Sequence, residues 1–206
     1  MSDANIYSPV KADQKPIQKI ITGIESIILQ PAIPIRVFDR NELEVIYKLR
    51  FNAWKTRTNI ESFFKNERFS DRYDGAAMHW AIKDHNEFIA SSRINISNYW
   101  MELPYGEVIK PFLNNFTPPF FMLSRLVVDP KARKNGYSNL LDKERLKYIL
   151  NYTQGTALVV VSSEFRVEKL LKCGFCLASG FEELNTVPGG KSTLLAMDRR
   201  QIMETY

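Results

Sequence analysis

The chain is poor in the residues that staple or metallate small proteins: among 206 residues there are two cysteines and two histidines. Cys173 and Cys176 are spaced C-x-x-C, yet one such pair supplies only half of a four-ligand zinc site, and no thioredoxin-like helix start precedes it. They read as reduced core thiols. His79 and His85 stand alone without metal-ligand spacing, which fits core and hairpin positions, so no metal is expected. A strong excess of one charge is missing too. The net charge is +5, and basic residues are interspersed with acidic ones, which suits anionic ligands without requiring nucleic acid. No apolar run approaches the length that spans a bilayer, and the polar N-terminus lacks a signal-peptide core, so no membrane span and a cytoplasmic location are expected. There is no internal repeat or low-complexity tract. Ser124 has no nearby His-Asp partner, which argues against a hydrolase triad.

What remains is 45% hydrophobic, enough for a sizeable core in one large domain or a domain with an extension. Residues 1–30 form the expected extension. Ile17, Ile20, Ile21, Ile24, Ile27 and Ile28 recur at helical spacing over Ile17–Leu29, an amphipathic helix for packing on the domain or on a partner such as a second copy. Residues 31–206 form the expected domain. Ile33–Phe38 reads as a strand, and Asn41 as the cap of a helix through Leu43, Ile46, Leu49 and Trp54. A second polar-aromatic segment over Ile60–Phe69, taken as a helix, leads to Asp71-Arg72-Tyr73-Asp74. Strands Met78–Lys83 and Glu87–Ile96 are joined around Asp84-His85-Asn86 as a hairpin. After an irregular stretch come a strand over Phe120–Val128, a helix over Tyr137–Tyr152, a strand over Ala157–Val161 and a helix over Glu164–Lys172. Strands over Phe175–Ser179 and Thr193–Asp198 finish the pattern. On the Tyr137–Tyr152 helix, Glu144 and Arg145 interrupt the apolar stripe, which predicts a partly buried face.

The chain is organised around Phe120–Val128 and the turn after it. Pro130 ends the strand, and Gly136 permits a left-handed turn just before the helix. The first amides of that helix, with Arg133 and Lys134 beside them, make a seat for a phosphate or pyrophosphate. Val128-Asp129-Pro130 followed by Arg133-Lys134-Asn135-Gly136-Tyr137-Ser138 resembles the acyl-CoA loop of the GNAT superfamily of N-acyltransferases, with Ser138 replacing the usual last Gly or Ala. Leu170-Leu171-Lys172-Cys173-Gly174-Phe175 resembles the family's Lys-x-Gly-Phe segment, although Leu170 stands where many members carry a Tyr as general acid. The resemblance covers about residues 33–198. It implies an α+β (α/β/α) GNAT-like acyl-CoA N-acyltransferase fold, with a central mixed, mostly antiparallel sheet flanked by helices. Acyl-CoA or an acyl-carrier-protein thioester would be the co-substrate, held by Leu126, Val127, Val128, Arg133, Lys134, Asn135, Gly136, Tyr137, Ser138 and Ser163. The family's central strand splays from its neighbour, which would free backbone groups around Leu126–Val128 for the thioester.

Upstream, Arg50-Phe51 with Trp54, Asp71-x-x-Asp74, Arg93 and Ser124-Arg125 resemble the corresponding positions of acyl-homoserine-lactone synthases and N-acyl amino acid synthases. Met122 stands where the lactone synthases typically have Glu, which tilts the resemblance toward the N-acyl amino acid synthases. Asp71, Asp74 and Ser124 are thus the candidate catalytic residues. The mutual repulsion of the two carboxylates could raise one pKa for a general base; a solvated turn or cap is the structural alternative. Arg50, Arg93 and Arg125 could bind a substrate carboxylate together or make separate ion pairs.

Residues 97–119 are too apolar for a solvated loop and too broken by proline for one helix. Two readings stand side by side: an acyl-channel lid, with Phe112 and Phe121 as lining residues, or a satellite core or dimer contact. Lysines 131, 134, 143 and 147 with Arg133 and Arg145 could dock an acidic carrier protein as well as a nucleotide phosphate. The expected activity is acyl transfer from the thioester to an amine or amino acid. Lactone-synthase-like chemistry and a non-catalytic GNAT binding module are the alternatives.

Overall fold

The computed structural model describes residues 32–55, 64–178, 184–186 and 190–206. The helix expected over Ile17–Leu29 lies outside them. Strand β1 (Ile35–Val37) leads into helix α1 (Arg40–Lys55), whose cap is Asp39 rather than Asn41. The Asp39 Oδ1 accepts from the amides of Asn41 at 2.9 Å and Glu42 at 3.0 Å. Both residues suit a cap, and the backbone turn decides between them. Of the helix expected over Ile60–Phe69, residues 60–63 lie outside the described residues, and the rest contains a single 3-10 turn at Lys65–Glu67. Strands β2 (Met78–Asp84) and β3 (Glu87–Ser97) form the hairpin. His85 and Asn86 both take positive φ, at 45° and 70°, as a two-residue primed turn requires.

The stretch between β3 and the next strand folds as a 3-10 turn (Trp100–Glu102), the one-turn helix α2 (Gly106–Ile109) and a second 3-10 turn (Lys110–Asn115). Then come β4 (Phe120–Val128), a 3-10 turn at Pro130–Ala132, α3 (Tyr137–Ile149), β5 (Thr156–Val161) and α4 (Glu164–Lys172). Strands β6 (Cys176–Leu177), β7 (Leu184–Thr186) and β8 (Gly190–Asp198) precede α5 (Arg199–Thr205). Helix α3 ends three residues sooner than its periodicity predicts, β6 is shorter than expected, and β7 and α5 have no counterpart among the expected elements. Helix α5 has a readable signature: Asp198 and Gln201 form a reciprocal capping box, with N···O distances of 2.9 and 2.8 Å. Cys173 and Cys176 are free, but Cys176 is exposed on β6 and Cys173 only half-buried, so neither is a core thiol.

Seven strands lie in the order β1-β2-β3-β4-β5-β8-β6, with β7 pairing β8. Every pairing is antiparallel except β4 with β5, which gives the mixed, mostly antiparallel sheet that was expected. Alternation along the strands sends successive side chains to opposite faces. Trp80, Ile82, Ile94, Phe121 and Leu123 pack with Leu141, Leu146 and Ile149 of α3, Leu170 of α4 and Ile202 of α5. On the other face, Phe120, Met122, Leu158 and Leu194 meet Leu103, Ile109 and Leu113 from the 97–119 stretch. Leu103 and Ile109 are fully buried, so this stretch is a second core.

Gly155 sits where that arrangement has no slack. Its φ is +135°, and a Cβ there would stand 2.5 Å from Phe121 Cε2 and 2.7 Å from the Pro119 carbonyl oxygen. Overpacking and backbone strain together predict that Gly155→Ala destabilises by about 2–5 kcal/mol. Urea unfolding measures this directly; a loss below about 1 kcal/mol would mean that β5 enters the sheet less tightly.

Candidate active site

The ladder of the sheet assembles the first part of the site. His79 of β2 is directly opposite Arg93 of β3, which is opposite Ser124 of β4, so the three form one polar row on the α1 side. Arg93 Nε donates to Ser124 Oγ at 3.0 Å. Between the pairs Ser91–Val127 and Arg93–Ser124 the register shifts, leaving Arg125 and Leu126 opposite Ser92 alone. This is a bulge in β4, and Arg125 carries it with φ at 52°. Left-handed backbone at a non-glycine residue costs about 1–2 kcal/mol, and it turns the Arg125 side chain toward Asp71.

The Asp71–Asp74 turn closes over this row. Asp74 Oδ2 accepts from the Asp71 amide at 2.8 Å, and Asp71 Oδ1 from the Tyr73 amide at 2.9 Å. The same carboxylates hold the arginines. Asp74 Oδ1 lies 2.7 Å from Arg50 Nη1 and 2.9 Å from Arg93 Nη1, and Asp71 Oδ1 lies 2.6 Å from Arg93 Nη1. Asp71 Oδ2 also accepts from the Nε and Nη2 of Arg125. The motif is thus a capped turn and, at the same time, the hub of an ion-pair cluster.

The arginines do not form an open trident for a substrate carboxylate. The side chains of Arg50 and Arg93 are fully buried and already paired, whereas Arg125 keeps 19% of its side chain exposed, over the Phe69 ring at 4.3 Å. Nor is either carboxylate pushed up by the other. Burial alone would raise both pKa values, but Arg93 and Arg125 around Asp71, and Arg50 and Arg93 around Asp74, more than reverse it. Both are lowered, so both stay anionic and are poor proton acceptors.

His79 belongs to the cluster as well, which its isolation in the sequence concealed. Its Nδ1 accepts from Arg50 Nη2 at 3.1 Å, which leaves Nε2 to donate to the Asp74 carbonyl oxygen at 3.0 Å. Burial and the adjacent Arg50 charge push its pKa down to about 4, so the ring is neutral at pH 7. Asn95, two residues beyond Arg93, donates to the Tyr73 carbonyl oxygen at 2.8 Å and steadies the turn. Only strand register puts either residue here.

The second part of the site is a parting of strands. Strands β4 and β5 pair at Phe120–Thr156, Phe121–Ala157 and Met122–Leu158 and no further, although β4 runs on to Val128 and β5 to Val161. Leu126, Val127 and Val128 therefore have no β5 ladder. Past the end of β4, Gly136 has φ of 79° and starts α3. Nothing lies within 4 Å of where a Gly136 Cβ would stand, so its backbone is open to close approach. Lys169 of α4 reaches Ser138 Oγ at 3.0 Å, and Ser163 immediately precedes α4. Tyr137 is half-buried against the main core, and Asn135 donates to the Ala132 carbonyl oxygen. Arg133 turns back from the loop, donating to the Ala53 carbonyl oxygen at 3.1 Å and to that of Val128 at 3.4 Å.

The remaining expected residues fall elsewhere. Trp54 packs edge-on to Phe69, 6.1 Å between centroids, beside the Arg125 end of the cluster. Phe112 borders the second core, while Phe121 is fully buried in the first, on the opposite face of the sheet. They cannot line one channel. Leu170 is core, so the expected gap at the usual Tyr position is filled by packing. Arg145 is buried too and leaves the basic surface. Among the described residues no group of three or more His, Cys, Asp or Glu side chains could hold a metal, and no helix is long and apolar enough to cross a membrane.

No protein-family model and no curated protein matches the sequence. Solved structures match it in fold. FeeM, an N-acyl amino acid synthase from uncultured soil microbes, superposes with a TM-score of 0.67 at 11% identity, over 84% of this chain and 93% of that one. BjaI, a CoA-dependent acyl-homoserine lactone synthase with SAM and isopentyl-CoA bound, gives 0.65 at 15% identity, over 84% and 86%. The acyl-homoserine lactone synthase LasI gives 0.60 at 18% identity, over 85% and 95%. The chain thus has the α+β fold of the GNAT-like N-acyltransferases.

Proposed function

We propose that this protein is an N-acyltransferase that moves an acyl group from a thioester donor to an amine or amino acid. The observation that carries this reading is the parting of β4 from β5 after Met122–Leu158, flanked on one side by the Asp71–Arg93–Arg125 cluster and on the other by the Gly136 turn. A thioester laid along the free edge of β4 would meet backbone N–H groups suited to the oxyanion that forms as the amine attacks. The neutral amine nitrogen bonds to the carbonyl carbon, the C–S bond breaks, and the proton lost from the nitrogen passes to the departing thiolate or to solvent. No enzyme nucleophile is needed. Since Asp71 and Asp74 are held as anions by arginines, the amine must enter already neutral, and the cluster serves to fix Arg125 at the mouth.

For the donor, acyl-CoA and acyl-carrier protein both suit the basic loop. For the acceptor, an amino acid is favoured, because of the cluster's three arginines Arg125 is the one left partly exposed. Lactone synthesis from S-adenosylmethionine is the alternative acceptor chemistry. The test is thiol release from acetyl-, octanoyl- and longer acyl-CoA and from acyl-carrier protein, with amino acids, simple amines and S-adenosylmethionine as acceptors. Arg125→Met is expected to raise the KM for a carboxylate-bearing acceptor by about tenfold or more, one charge-assisted contact, with donor KM unchanged. Equal turnover of wild type and variant would remove Arg125 from the site. A second reading, a thioester-binding module without turnover, is favoured by the buried Leu170 and by the two arginine-held carboxylates. Saturable donor binding with no thiol release from any pair would establish it.

A further inference from the structure

A buried cation on the far side of the sheet has no part in the chemistry above. Arg145 of α3 is 1% exposed, though the helix it belongs to packs against the main core. Its Nη1 donates to the Arg93 carbonyl oxygen at 3.2 Å and lies 3.4 Å from that of Ser124. These are the backbone groups of the two residues whose side chains form the polar row on the opposite face. They also border the β4 bulge, where the ladder between β3 and β4 is interrupted. Nη2 of Arg145 is held by Asp142 Oδ1 at 2.5 Å, and Asp142 Oδ2 in turn by Arg166 Nη2 of α4, also at 2.5 Å.

An arginine is costly to bury, and an apolar residue at position 145 would suit the core stripe of α3 better. Its placement is explained by what it grips. We propose that Arg145 is a positioning residue for the acyl-transfer site: it clamps the β4 bulge from behind, so that the Ser124–Arg125 backbone keeps its turn and the strand edge beyond it keeps its aim. Through Asp142 and Arg166 the clamp is anchored to α3 and α4, the two helices that begin beside the donor seat. Donor-side and acceptor-side elements are thereby tied to the same two carbonyl groups. The proposal rests on the acyltransferase reading for its catalytic consequence, but not for the clamp itself.

The experiment compares Arg145→Met, Arg145→Lys and Asp142→Asn with wild type by amide hydrogen exchange and by acyl-transfer kinetics. In Arg145→Met the amides of residues 124–128 are expected to exchange about 10- to 100-fold faster, the loss of hydrogen bonds from a charged donor, while those of β5 and β8 keep their wild-type rates. The corresponding loss in turnover should fall on kcat rather than donor KM, and Arg145→Lys, which keeps a charged donor, should recover most of it. Faster exchange spread evenly over β4, β5 and β8, or unchanged exchange at 124–128, would overturn the proposal. If Arg145→Met does not fold, Asp142→Asn decides, with the same localised pattern expected at smaller amplitude. A wild-type protein that turns over no donor would sink the acyltransferase reading, while the exchange pattern would still judge the clamp.

Discussion

Asp74→Ala is expected to destabilise the protein by about 3–5 kcal/mol, the cost of leaving a buried cation without its counter-ion. Among the described residues Asp74 is the carboxylate paired with Arg50, whose side chain is fully buried, and it shares Arg93 with Asp71. The substitution also removes the acceptor for the Asp71 amide, so the turn that brings Asp71 to Arg125 loosens at the same time. Urea unfolding of Asp74→Ala beside Glu44→Ala makes the comparison sharp. Glu44 pairs with Arg68 at 2.7 Å, but both side chains are about half exposed, and such surface pairs contribute about 0–1 kcal/mol. Equal losses in the two variants would mean that the cluster does not behave as a buried network. Asp74→Asn, which keeps an acceptor for Arg50, should fall between them.

Acid is expected to weaken the fold in two stages, the first of them owed to His79. Its pKa is about 4 in the folded protein, against 6.5 for the free side chain. Between those values the unfolded chain binds a proton that the folded one refuses, so stability falls as pH drops through that window. A shift of this size corresponds to about 3 kcal/mol, complete near pH 4. Asp71 and Asp74 act lower down. Their folded pKa values are depressed, so their contribution is present above the ordinary carboxylate range and is lost as pH falls below about 4. Unfolding free energies at pH 7, 5.5 and 4 read the first stage. His79→Gln, which can still donate to the Asp74 carbonyl oxygen, should flatten the slope between pH 6.5 and 4. A slope unchanged by that substitution would place the titrating group elsewhere.

The two halves of the site differed in how far the sequence disclosed them. The Gly136 turn could be read because its cause is local: a strand, a proline that ends it, and a glycine that can take positive φ before a helix. The hairpin at His85-Asn86 and the strand Phe120–Val128 were legible for the same reason, since turn chemistry and alternation act over a few residues. The cluster was legible only as a set of names. Arg50, Asp71, Asp74, Arg93, Ser124 and Arg125 stand out in the sequence, but their partners do not, and the expectation of a raised carboxylate pKa fails because it counts two negative charges without the three positive ones around them. The partners of His79 and Arg145 stay hidden for a related reason. A lone histidine in a strand and a charge in an apolar helical stripe look like exceptions until register and helix packing say what they touch.

By itself, then, the sequence determined most of the strands and helices of the sheet, the left-handed turns at Gly136 and in the β2–β3 hairpin, and which residues carry charge near the centre of the chain. Those follow from local sterics and short-range periodicity. Only the tertiary structure decided that Arg50 and Arg93 are sealed while Arg125 remains at the surface, that Phe112 and Phe121 face opposite sides of the sheet, and that β4 leaves β5 after three pairs. The place of Arg125 depends on a one-residue bulge in β4, which resets the facing of the residues beyond it, while the others depend on strand pairing and on how the helices and turns pack against the sheet.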